Sequence, residues 1–115
     1  MPRFVILTHD WPHLHWDFML EQKNSLKTWR LDSEPILNYW ITAKPLPDHR
    51  LQYLNYEGPV PQNRGVVTRF MEGDYTTSQV FPRETWLLLT GTFGKWETRI
   101  IEECNAVRVL FSQHV

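Results

Sequence analysis

Two histidines and an aspartate, His9, His15 and Asp17, fall within nine residues of one another, with His13 between them. From His13 to Glu21 the residues alternate, placing His13, His15, Asp17, Met19 and Glu21 on one face of a half-buried strand and Leu14, Trp16, Phe18 and Leu20 on a core face. His9 precedes an Asp10-Trp11-Pro12 turn signal and swings back toward the first face, so three or four ligand groups gather there. Imidazole nitrogens with a carboxylate oxygen suit a borderline divalent metal such as Mn²⁺, Fe²⁺ or Zn²⁺, and three protein ligands leave positions open for water or substrate. Open positions imply catalysis. The competing reading is a solvated polar strand face without a metal. A facial triad of the iron-oxygenase kind is a weaker third reading, since no arginine lies where an oxo-acid co-substrate needs one.

A second group is Asp48-His49-Arg50-Leu51-Gln52-Tyr53, followed by Tyr56-Glu57-Gly58-Pro59-Val60-Pro61. A helical turn over Asp48 to Tyr56 sets His49 and Tyr53 on one face, where an imidazole and a phenol hydroxyl bind phosphate. Without that turn they are a surface histidine and a half-buried aromatic. Glu57 is either a general base or a loop acid that caps backbone N–H groups. Cys104, next to Glu103, reads as an inert thiol, and His114 as incidental.

The elements that must position these groups read as strands. Arg3 to Thr8 is apolar and β-branched, Leu14 to Glu21 alternates, and the turn between them makes a hairpin. Leu26 to Leu31 and Leu37 to Ala43 are two further strands. From Lys44 to Gly65, Pro45, Pro47, Gly58, Pro59, Pro61 and Gly65 mark a long central loop, of the kind that usually carries function. Val66 to Met71, Tyr75 to Phe81, Thr85 to Thr90, Lys95 to Glu102 and Ala106 to Ser112 complete a set of short strands with frequent turns. The expectation is a mainly β protein, a single antiparallel barrel-like domain over residues 1–115 with little helix.

Composition agrees. Six Trp, six Phe and four Tyr in 115 residues favour strands. One cysteine excludes an internal disulfide, and the first residues lack the pattern of a secretory signal, so a cytoplasmic setting is expected. No apolar run reaches the roughly 20 residues of a membrane-spanning helix. A net charge of −1 excludes bulk phosphate-backbone binding, so any nucleic-acid contact must be local.

These residues resemble a known family, the 3′-phosphoesterase domain of bacterial DNA ligase D, the end-joining ligase, which also has stand-alone members. Phe4-Val5-Ile6 followed by His9, then Leu14-His15-Trp16-Asp17-Phe18 and Leu20-Glu21, look like its first motif. Leu26-Lys27-Thr28-Trp29, Asp48-His49 with Leu51 and Tyr53, and Glu57-Gly58 with Pro61 continue it, with a weaker echo through Leu89, Gly91 and Gly94. The resemblance implies a manganese-dependent enzyme that trims a 3′-terminal ribonucleoside and then removes the 3′-phosphate. It makes His9, His15 and Asp17 the metal ligands and sets His49 and Tyr53 on the scissile phosphate. DNA or RNA 3′ ends are the implied partners, with end-joining ligase or polymerase components alongside.

The pattern also departs from the family. Met19 stands where the family places an arginine, and two further cationic positions fall near Ser33 and on Ile41. Methionine cannot supply arginine's planar fork, so Arg30, Lys44, Arg64 or Arg69 must approach from elsewhere if the phosphate is to be clamped. Two functions follow: an active phosphoesterase, or a binding module that keeps the metal or the fold and recognises nucleic-acid ends without turnover.

Overall fold

In the computed structural model, which describes residues 1–104 and 106–114, the first two apolar runs pair as a hairpin. β1 (Arg3–His9) and β2 (His15–Glu21) run antiparallel in register from Phe4↔Leu20 to His9↔His15. The chain continues with β3 (Leu26–Leu31), β4 (Trp40–His49), one turn of 3-10 helix (Leu51–Leu54), β5 (Gly58–Pro59) and β6 (Val66–Phe81). β7 (Glu84–Gly91), β8 (Gly94–Glu103) and β9 (Ala106–Gln113) complete it. The strands form one antiparallel sheet in the order β1-β2-β3-β4-β9-β8-β7-β6-β5, and β1 also pairs with β6. That last pairing closes eight strands into a ring, with β5 appended to β6. The mainly β, antiparallel expectation holds. Among the described residues no helix is long and apolar enough to cross a membrane.

Three stretches differ from the sequence-based expectation. Residues 44–49 are strand, not loop: β4 runs on through Pro45 and Pro47, because beyond Ala43 it pairs with β3 alone and the prolines interrupt no second ladder. Leu37 makes only an isolated bridge to Phe111, so β4 begins at Trp40 rather than at Leu37. The expected strands 66–71 and 75–81 are one 16-residue strand, β6. Gly73 and Asp74, which read as a break, lie where β6 passes from β1 to β7; a side chain at Gly73 would strike the Thr90 carbonyl.

Apolar side chains gather in two cores. Phe4, Ile6, Trp16, Phe18, Leu20, Trp29, Leu31, Ile41, Leu89, Val109 and Phe111 come from strands around the ring and fill its interior. Val5, Leu7, Met19, Leu26 and Val67 point the other way and are covered by Leu54 and Val60 from the segment after β4. β2 is therefore buried on both faces. Leu14, expected in the core, precedes the strand and is 55% exposed. Met19 is 0% exposed in the second core. Met19→Ala is expected to cost about 2–5 kcal/mol through lost contacts and a residual cavity, read as a fall in thermal midpoint of roughly 10 °C or more; an unchanged midpoint would show that the covering segment collapses onto the gap.

Candidate functional site

His9 and His15 are the last register pair of the β1–β2 hairpin, which sets both rings on the outer face, and Asp17 follows two residues along β2. Their ligand atoms all lie within 4.8 Å of one another. His15 Nε2 stands 3.1 Å from Asp17 Oδ1, and His9 Nδ1 stands 3.5 Å from Asp17 Oδ2. His15 and Asp17 are buried and His9 is half-buried.

The remaining ring nitrogens fix the orientation. His9 Nε2 is 2.9 Å from the Arg64 carbonyl, and His15 Nδ1 is 2.9 Å from the His13 carbonyl. A carbonyl only accepts, so each of these nitrogens donates, which in the neutral imidazole turns the lone pair of the opposite nitrogen toward Asp17. Asp17 Oδ1 is buried and has no hydrogen-bond partner among the described residues. Lone pairs converging on a buried carboxylate repel unless a cation lies between them. The donor set, its orientation and the orphaned oxygen all fit a divalent metal of the borderline class.

The electrostatics match. When the imidazoles carry a second proton, the nitrogens facing Asp17 donate to it instead: burial pushes its carboxyl up, but hydrogen bonds from His15 and His9 and the charges of His15 and His49 outweigh it and hold it at about 2. The hydrogen bond to Asp17 raises His9 above its ordinary value against the opposing effect of burial, with further help from the Arg64 carbonyl and the negative charges of Asp17 and Asp10.

Asp17 and His9 line a cavity of about 520 Å³, together with Trp11, Met19, His49, Tyr53 and Arg64. His49 ends β4 and Tyr53 sits in the 3-10 turn, so a strand end meeting a turn brings them together rather than one helical face. Their ring centroids are 6.1 Å apart, edge to face. His49 Nδ1 approaches the Pro47 carbonyl at 3.0 Å, which makes it the donor and leaves Nε2 as the lone-pair nitrogen.

The structure separates the remaining sequence candidates. His13 is exposed and stays outside the cluster; its carbonyl, not its ring, serves the site by orienting His15. Glu57 is a cap: Oε2 accepts the Arg69 backbone N–H at 2.9 Å, and Oε1 pairs with the Arg69 guanidinium. Cys104 is exposed, and His114 pairs with Glu97. Ile41 belongs to the interior core and Ser33 is exposed, so neither substitutes for a cation. Arg30 lies opposite Asp17 in the β2–β3 register but leans to Asp32, Arg69 is held by Glu57 and Glu72, and Lys44 borders a separate hollow beside Cys104. Of the four cations considered from sequence, Arg64 lines the cavity.

Sequence reading missed the residues that lock His9. The Asp10 carboxylate accepts the Val66 backbone N–H at 2.8 Å, Asp10 N–H returns to the Val66 carbonyl, and Gly65 lies between with φ +80°. Asp10 and Gly65 were visible as turn residues; their contact across 55 positions was not. A Cβ at Gly65 would collide with Asp10 and Trp11. Gly65→Ala is expected to cost about 1–3 kcal/mol of stability and, by displacing the Arg64 carbonyl, to weaken metal binding about tenfold. Calorimetric Mn²⁺ titration checks it; unchanged affinity would mean that the Arg64 carbonyl does not orient His9.

The chain is 37% identical over 62 residues to the "Multifunctional non-homologous end joining protein LigD" of Pseudomonas aeruginosa, a stretch covering 52% of this chain and 7% of that protein. The chain thus spans a small fraction of that relative's length. The family model described as "DNA Ligase D 3′-phosphoesterase domain" matches residues 7–108, which take in the three converging residues, the cavity and most of the ring. The chain belongs to the DNA ligase D 3′-phosphoesterase domain family.

Proposed function

We propose that this chain is a metal-dependent phosphoesterase that processes nucleic-acid 3′ ends, removing a terminal 3′-ribonucleoside and then the 3′-phosphate. The carrying observation is the convergence of two carbonyl-oriented imidazoles on a buried carboxylate at one wall of a cavity whose lining also includes His49 and Tyr53. His9, His15 and Asp17 would hold the metal, Mn²⁺ in the first place and Zn²⁺ or Fe²⁺ as alternatives. When bound, it supplies Lewis acidity toward a phosphoryl oxygen and lowers the pKa of water.

The chain's own groups do the rest. The Arg64 and His13 carbonyls keep the His9 and His15 rings in the orientation that presents their lone pairs, so no reorganisation is needed when substrate arrives. Tyr53 offers a hydroxyl donor to a phosphoryl oxygen. His49, in its protonated form, donates from Nε2 to the same group, and Pro47 fixes its ring by accepting from Nδ1. With a net charge of −1, affinity rests on this local set rather than on a basic surface, which suits recognition of an end over recognition of a duplex. DNA or RNA ends inside the cell, presented alongside end-joining ligase or polymerase components, are the proposed setting.

Met19 favours a second reading, a binding module without turnover, because an apolar side chain packed into the second core occupies the position of the family's arginine. Release of nucleoside and phosphate from a primer-template ending in a ribonucleotide or a 3′-phosphate separates the two. The phosphoesterase yields product with Mn²⁺, loses it on chelation, and loses it in the His15→Ala, Asp17→Ala double variant. Mn²⁺ binding without product by the wild type would establish the binding module instead.

A further inference from the structure

We propose that Arg64 is the phosphate clamp of this pocket, supplied from the turn before β6 in place of the strand position that Met19 fills; the inference rests on the reading of the cavity as a 3′-end site. Arg64 lines the cavity, and its Nε–H donates to the Pro61 carbonyl at 2.9 Å. The turn itself is pinned by Val60 N–H to the Gly65 carbonyl at 2.8 Å and by Arg64 N–H to the Val60 carbonyl at 3.4 Å. One edge of the guanidinium is thereby anchored. Its guanidinium pairs with no carboxylate among the described residues, whereas those of Arg3, Arg30, Arg69, Arg99 and Arg108 each do, through Nε or a terminal nitrogen.

An anchored guanidinium with free terminal N–H groups is what bidentate phosphate recognition requires, and little side-chain freedom remains to be lost on binding. Arg50 also lines the cavity, but its side chain has no hydrogen bond among the described residues and must be ordered by the ligand at greater entropic cost. Arg64 has a second connection to the site: its carbonyl orients His9. One residue therefore ties the anion contact to a candidate metal ligand, with the side chain serving the first and the backbone the second.

This division makes the proposal testable. Oligonucleotides that differ only in a 3′-phosphate or a 3′-hydroxyl are titrated by fluorescence anisotropy in chelator, where turnover is absent. Wild type is expected to prefer the 3′-phosphate about tenfold. Arg64→Ala should lose most of the preference, leaving what His49 and Tyr53 sustain, Arg64→Lys should keep more of it, and Arg83→Ala, on the β6–β7 turn, should leave it intact. Added guanidinium should restore phosphate binding to Arg64→Ala, which a merely structural role would not allow. Mn²⁺ affinity should be unchanged in Arg64→Ala, because the carbonyl on His9 remains. Equal preference in wild type and Arg64→Ala, or no preference in wild type, overturns the clamp. Failure of the enzymatic reading shows separately, as absence of product from wild type with Mn²⁺, and leaves the anisotropy result to decide the clamp.

Discussion

Replacing Asp17 with asparagine is expected to lower Mn²⁺ affinity by about 100-fold or more, because the amide keeps the shape of the carboxylate but not the charge on which both imidazole lone pairs converge. The same change lowers the His9 pKa, since the hydrogen bond to Asp17 is the largest influence raising it and burial acts in the opposite sense. The consequences for pH have definite signs. Asp17, held at about 2 against an ordinary 3.8, adds stability that is present above 3.8 and lost as the pH falls through 2. His9, raised above 6.5, adds stability that is complete below 6.5 and lost as the pH rises through its folded value. Metal binding is expected to run the other way, because the proton on His9 occupies the lone pair that a metal would need, so Mn²⁺ affinity should climb as His9 deprotonates. Calorimetric titration over that range, with NMR of the His9 ring, checks both. Equal Mn²⁺ affinity in wild type and Asp17→Asn would remove the carboxylate from the metal site.

His49→Ala is expected to lower kcat by about 100-fold, the size of a lost proton donor to phosphate, and Tyr53→Phe by about 10-fold, the size of one lost hydrogen bond in a partly buried site. Neither change touches the three converging groups, so Mn²⁺ affinity stays near the wild-type value and the loss appears in turnover. The two rings lie edge to face with centroids 6.1 Å apart, so each orients the other and the double variant loses less than the product of the single effects. Steady-state kinetics on a 3′-phosphorylated primer-template decides. Unaltered kcat in both single variants, with activity still abolished by His15→Ala, would place the proton donor elsewhere in the cavity.

The hairpin that carries His9, His15 and Asp17 was legible because a two-residue period and a turn signal are local patterns, and its register needed nothing from the rest of the chain. Met19 was not legible in the same way. Its position reads as the exposed or ligand-bearing face, and only residues 54 and 60, folded back over that face, convert it into a second core. The same cause hid the Arg64 carbonyl on His9 and the Asp10 to Val66 lock, which join positions far apart in sequence. His49 and Tyr53 were rightly brought together, but by a strand end and a short turn instead of a helix, since Pro45 and Pro47 do not end β4 where it has one neighbour. Gly73 read as a terminator because close backbone packing and chain reversal both call for glycine; the carbonyl of Thr90 decides between them.

The seam between β1 and β6 also orders events during folding. β1 is synthesised before the other strands of the ring, yet its outer neighbour does not exist until residues 67–74 have been made, and the β4–β9 pairing waits for residues 107–110. Local hairpins are expected to come early, with these distant pairings carrying the loop-closure entropy and setting the slow step. His9 sits on that seam, oriented from the far side by Arg64 and by the Asp10 to Val66 lock. A metal on His9, His15 and Asp17 would bind only after the seam has zipped, and its binding energy would then oppose unzipping, so it would act as a clasp that slows unfolding more than it speeds folding.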